Sequence, residues 1–200
     1  MLGSMNPLVL RARNGRWWTT TAAYIASSIV GGAIAGWLLA ALGAVLRAHT
    51  NELSWATDVA VLGICGLVGA LVDAGIGGLR LPTIGRQVNE EWRYRYRNWI
   101  YAIGYGFQIG LGFTTIVTTA AVYATFVAAF LLASPMLGLV VGAWFGLARS
   151  ASVLTVGRVR TIGQFESIEA GLNRMYEPGR VLTIVGQGAL GIALVALTVL

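Results

Sequence analysis

From Asn98 to Ala148 the chain runs 51 residues without one charged side chain. A soluble domain cannot bury such a run without exposing apolar surface elsewhere. About 20 apolar residues cross the hydrocarbon core of a bilayer as a helix, so the run has room for two crossings, with a turn signal at Ala133-Ser134-Pro135. Three more apolar stretches lie at Trp17–Leu46, Leu53–Leu79 and Val181–Leu200. In lipid every backbone polar group must find its partner within the protein, which helices achieve on their own. The sequence therefore predicts an all-α, polytopic transmembrane helix bundle in a single integral membrane domain over 1–200. Its five spans fall at about 19–46, 55–79, 99–133, 136–156 and 181–200.

The distribution of arginine orients the bundle. All 14 basic residues are arginine, and with the N-terminus inside 13 of them fall on the cytoplasmic face, leaving only Arg47 outside. That is the asymmetry of the positive-inside rule, and it predicts a multi-pass protein of the plasma (inner) membrane with a cytoplasmic N-terminus. No cleavable signal pattern precedes the first span. The net charge of +6 is thus a record of topology, not of nucleic-acid binding. The third span, about 35 residues long, exceeds what one perpendicular helix needs and is expected to be kinked, broken or extended.

Two segments read as amphipathic helices on the cytoplasmic surface. In Asn89–Trp99, Trp92, Tyr96 and Trp99 share one helical face, with Arg93, Arg95 and Arg97 directed to lipid phosphates. In Thr161–Tyr176, Ile162, Phe165, Ile168, Leu172 and Met175 recur at helical spacing, and Pro178-Gly179 is expected to end the helix.

Within the spans, small residues recur four apart at Gly32 and Gly36, at Gly106 and Gly110, and at Gly138, Gly142 and Gly146. This pattern lets helix backbones approach closely. Gln108, Thr115 and Thr119 fall near one face of the third span and Thr118 widens that zone, with Gln187 as a partner from the fifth. Such a polar cluster either lines a substrate path or bonds neighbouring helices. Asp73 lies just inside the end of the second span, where a lone carboxylate is costly. Arg149, at the inner end of the fourth, is its expected ion-pair partner. The following Gly75-Ile76-Gly77-Gly78 offers an early end to the second helix.

Chemistry is sparse. Cys65 is the only cysteine and His49 the only histidine, so no internal disulfide, CxxC motif or Cys-based zinc site can form. No catalytic constellation is present, and no enzymatic activity, cofactor or metal is expected. The segment Gly106–Gly112, then Thr114–Tyr123, then Ala133-Ser134-Pro135 and Gly138–Arg149, ending in Gly146-Leu147-Ala148-Arg149, resembles the second half of the CcdA/DsbD-type membrane core of cytochrome c biogenesis and thiol–disulfide interchange proteins. The resemblance implies a glycine-rich helix broken near its middle, a short turn and a following helix. It covers roughly 50 residues, and Thr114–Thr119 stands where that family carries a Pro-Cys pair, so the family's thiol relay is not implied.

Three functions fit this reading. The first is a non-enzymatic accessory or scaffold subunit, bound through its glycine faces to another membrane subunit or a second copy. The second is a transporter or permease component with a polar path at Gln108, Thr115 and Thr119. The third, ranked below both, is a redox relay working with a partner's cysteines. Lipid is a partner in all three. A polar, water-accessible cavity at mid-membrane would favour transport, and a glycine face occupied by another chain would favour the accessory role.

Overall fold

A computed structural model describes residues 7, 10, 16–49, 54–78, 81, 97–112, 114, 117–157 and 159–199. Among these the apolar stretches form six α-helices and no strand. In chain order they are α1 (Trp17–His49), α2 (Trp55–Asp73), α3 (Asn98–Leu111), α4 (Ala121–Leu131), α5 (Pro135–Ala151) and α6 (Ile162–Leu197). Local chemistry sets several of their starts. The Ser54 hydroxyl accepts the N–H of Thr57, and the Thr161 hydroxyl accepts that of Gln164. Pro135 opens α5, where its missing N–H costs nothing.

Among the described residues four helices are long and apolar enough to cross a membrane: α1, α2, α5 with its 3-10 continuation to Val156, and α6. The protein is membrane-embedded on that ground. α1, with 33 residues, is the axis of one group. A side chain on Gly32 or Gly36 would collide with the carbonyls of Gly142 and Gly138, and one on Gly146 or Gly110 with that of Ser28. The glycine faces predicted from the four-residue spacing thus meet one another inside the chain. Gly106 is pressed in the same way against the Tyr24 backbone. One polar tie crosses the α1–α5 seam, from the Ser28 hydroxyl to the Gly146 carbonyl at 2.9 Å.

α2 and α6 form a second group. Gly63 approaches Gly191 and Val195, and Gly66 and Gly69 approach Gln187. α4 touches both groups. These contacts also fix direction. Along α1, Tyr24 meets Gly106, Ser28 meets Gly110 and Gly43 meets Phe130, so α3 and α4 follow each other in the direction of α1. The Gly32–Gly142 and Gly36–Gly138 pairs make α5 antiparallel to α1, and Gly63–Gly191 with Gly69–Gln187 make α6 antiparallel to α2.

The stretch expected at 99–133 is therefore two helices of 14 and 11 residues laid end to end with an interruption between them. Gly112, at φ 79°, turns the chain out of α3 in a conformation that other residues rarely adopt. α2 ends at Asp73, and Gly75 and Gly78 follow at positive φ, as their sequence anticipates. One expectation is corrected. Pro178-Gly179 does not end a helix: α6 runs 36 residues through them, merging the amphipathic segment with the last span. Both residues are exposed, and a side chain at Gly179 would meet nothing within 4 Å, so the helix runs past them on an open face. Opening the backbone at the edge of lipid would strand more groups than the one N–H that proline lacks. Most of the interfacial segment Asn89–Trp99, including Trp92, Arg93, Arg95 and Tyr96, lies outside the described residues. Arg97 precedes α3 in extended conformation, and Trp99 is exposed in its first turn.

Candidate functional site

The interruption between α3 and α4 draws polar side chains from α2, α5 and α6. An α-helix leaves its first N–H and last C=O groups without intrahelical partners, and a break inside a membrane protein creates both kinds at once. At the end of α3, the Gly112 N–H returns to the Ile109 carbonyl at 3.2 Å, and the Thr114 hydroxyl donates to the Gln108 carbonyl at 2.7 Å. The Gly112 carbonyl accepts from Arg149 Nη1 at 3.1 Å, and the same guanidinium sits 5.5 Å from the centre of the Phe145 ring.

At the start of α4 the cap comes from another helix. Ala120 has no side-chain cap of its own. Its N–H donates to both oxygens of Asp73, at 2.8 Å to Oδ1 and 3.0 Å to Oδ2. The Thr119 hydroxyl donates to Oδ2 at 2.6 Å, and Gln187 Nε2 donates to the same oxygen at 2.9 Å. Thr119 in turn accepts the Ala121 N–H at 3.2 Å. Because α2 stops at Asp73, that residue also exposes its backbone carbonyl, which Arg180 takes with Nη2 at 2.8 Å and Nε at 3.2 Å. A carboxylate thus faces the positive end of one half-helix, and guanidinium groups face the negative ends of two others, the signs that helix dipoles favour.

Beside this junction opens a cleft of about 340 Å³, lined by Asp73, Thr118, Thr119, Tyr176, Arg180 and Thr183 among others. It is polar at the junction and apolar along Met175 and Tyr176 of α6. Its volume is at the lower end of the range of small-molecule pockets, roughly 300–1,000 Å³. Among the described residues no three His, Cys, Asp or Glu side chains converge on a metal position.

The expected site residues are redistributed. Thr119 and Gln187 meet at Asp73, and Thr118 lines the cleft. Gln108 contributes its backbone carbonyl, and Thr115 lies outside the described residues. Gln108 and Thr119 share no helical face, because α3 ends at Leu111 and Thr119 precedes α4. The expected Asp73–Arg149 ion pair is also corrected: the two side chains serve opposite ends of the interruption, where each finds backbone groups of complementary sign. Arg180 is one of the 13 arginines assigned to the cytoplasmic face and has no site role in the sequence reading. Its spacing from Thr183 and Gln187, at i, i+3 and i+7 on one face of α6, is the signal that would have found it. At the other end of the bundle Arg47 pairs with Asp58 and also bonds the Leu131 carbonyl at the end of α4.

No protein-family model, curated protein or solved structure matches the chain.

Proposed function

We propose that the protein is a transport component of the plasma membrane, and that small polar solutes or ions pass by the interrupted third crossing. α3 and α4 count as that crossing in this reading, which gives five crossings with a cytoplasmic N-terminus. The carrying observation is the cleft that opens beside Asp73, Thr119 and Arg180, where Gln187 also bonds the Asp73 carboxylate. Interrupted helices whose ends face charged groups are the usual construction of midplane sites in secondary transporters. Non-helical backbone at membrane depth is tolerated where it is buried in protein or lines an aqueous cavity. The glycine faces that favoured an accessory subunit are filled by the chain's own helices, which weakens that alternative. The shared-scaffold reading with the CcdA/DsbD-type core is retained only for the placement of a break after Gly112 and a turn at Ala133–Pro135. Catalysis forms no part of the proposal.

One observation favours the accessory reading. α6 hides little of itself: Met175 is 72% exposed and Leu182 74%, on a helix of 36 residues that packs along one side only. That face is open to lipid or to another subunit.

Single cysteines at Thr118 and Thr183, placed on a Cys65→Ala background, separate the two readings. An aqueous path predicts that a membrane-impermeant maleimide labels both from the cytoplasmic side in intact membranes. If neither position reacts from either side, the cleft is filled by lipid or protein, and the accessory role replaces transport.

A further inference from the structure

We propose that the cleft beside Asp73 binds a zwitterion in which a primary ammonium and an acid group stand close together, the chemistry of an α-amino acid or of an ethanolamine phosphate headgroup. The proposal rests on the transport reading and names its class of solute. Two opposite charges meet at one residue. The Asp73 and Arg180 side chains both line the cleft, and the guanidinium is anchored on the Asp73 backbone carbonyl through Nη2 and Nε. Each charged group keeps capacity for a ligand. A carboxylate offers about four lone-pair positions, two on each oxygen. Oδ2 receives Thr119, Gln187 and the longer arm of the Ala120 N–H, whereas Oδ1 receives the Ala120 N–H alone. A guanidinium has five N–H groups. Nε and Nη2 of Arg180 reach the Asp73 carbonyl, while Nη1 lies 3.7 Å from Glu177, beyond hydrogen-bond distance, on a side chain that is 43% exposed.

Charge balance selects the ligand. Within the lining the carboxylate and the guanidinium cancel, and Glu177 stands outside it, exposed to solvent that screens its charge. A lone cation or a lone anion therefore meets no net opposite charge. A zwitterion meets both, with its ammonium at Asp73 Oδ1 and its acid group at the open edge of Arg180. Both contacts are charge-assisted hydrogen bonds, and an acid group can lie across a guanidinium as a fork.

The rest of the lining agrees. Thr183 donates its hydroxyl to the Gly179 carbonyl at 2.9 Å and keeps lone pairs for an ammonium N–H. Thr118 adds a second hydroxyl, and Met175 and Tyr176 give a wall for the uncharged remainder of the molecule. The volume of about 340 Å³ is roughly ten times the share of one water in the liquid, about 30 Å³, so a solute of about ten heavy atoms fits.

The test is a melt of the full-length protein in nanodiscs of phosphatidylcholine, whose headgroup nitrogen has no N–H to give. Each α-amino acid with an uncharged side chain is added in turn at about 10 mM. At least one should raise the melting temperature by a few degrees, and the amine and the acid that each carry only one of its charges should not. Arg180→Gln, on an exposed side chain, and Asp73→Asn, which keeps an oxygen for the Ala120 N–H, should each weaken binding by about tenfold or more. A shift produced by phosphatidylethanolamine in the disc but by no amino acid, and lost in Arg180→Gln, assigns the same chemistry to a lipid headgroup. No shift from either source overturns the proposal. So does a shift that the amine or the acid alone reproduces, or one that Arg180→Gln leaves intact. The maleimide labelling of Thr118 and Thr183 is read without any ligand, so the transport reading stands or falls separately.

Discussion

Asp73 and Arg149 serve the two ends of one interruption: the carboxylate takes the Ala120 N–H at the start of α4, and the guanidinium takes the Gly112 carbonyl at the end of α3. Each neutralises a helix end of opposite sign, so together they satisfy backbone groups that a break in a membrane-embedded bundle would otherwise leave without partners. The arrangement explains why a carboxylate survives at the end of α2 and a guanidinium near the end of α5. It also assigns them separate partners.

A double-mutant cycle separates capping from pairing. Asp73→Ala and Arg149→Gln should each destabilise the detergent-solubilised protein by about 1.5–3 kcal/mol, the range for hydrogen bonds to charged groups. With separate partners, the double variant should lose at least the sum, within about 0.5 kcal/mol. Partial recovery in the double variant would show a direct ion pair and contradict the two-ended arrangement.

The glycine seam gives a paired contrast. A methyl group on Gly142 would run into the Gly32 carbonyl, whereas one on Gly186 meets open space. Gly142→Ala should therefore cost about 1–3 kcal/mol by forcing α1 and α5 apart. Gly186→Ala should be neutral or stabilising by up to about 1 kcal/mol through helix propensity. Thermal melts in one detergent check both, and equal effects would mean that the α1–α5 contact is not backbone to backbone.

Cys65 is half-buried on α2 with a free thiol. Cys65→Ala should change stability by less than about 1 kcal/mol and leave expression unchanged. A variant that is stable but inactive in its physiological assay would revive the redox reading and point to a thiol-bearing partner.

Orientation has its own check. A cysteine replacing Ser4 on the Cys65→Ala background should resist impermeant reagents in intact cells and react once the cells are opened. Labelling from outside would reverse the topology derived from the arginine distribution.

The apolar runs made the helices legible, and the four-residue glycine spacing made their packing legible, because both signals are periodic and local. Asp73, Thr119 and Gln187 stood out as polar groups in apolar surroundings, and they do converge. The exact place of the break was harder to read, since threonine is at ease in a helix or outside one. Nor could composition reveal that Arg149 is satisfied by the Gly112 carbonyl, because a backbone acceptor has no residue type. Pro178 misled for a related reason. Its tendency to end helices is local, whereas the need to keep backbone groups paired at the membrane edge comes from the surroundings.

Amide hydrogen exchange across Asn98–Leu131 in nanodiscs tests the central claim most directly, because it reads the interruption and its cap residue by residue. The Thr118 and Thr119 amides should exchange quickly, and the Ala120 amide slowly because Asp73 holds it. In Asp73→Ala, Ala120 should become as fast as its neighbours while α3 and the later turns of α4 stay protected. Uniform protection from Trp99 to Leu131, insensitive to Asp73, would mean one continuous helix and would contradict both the junction and the path built on it.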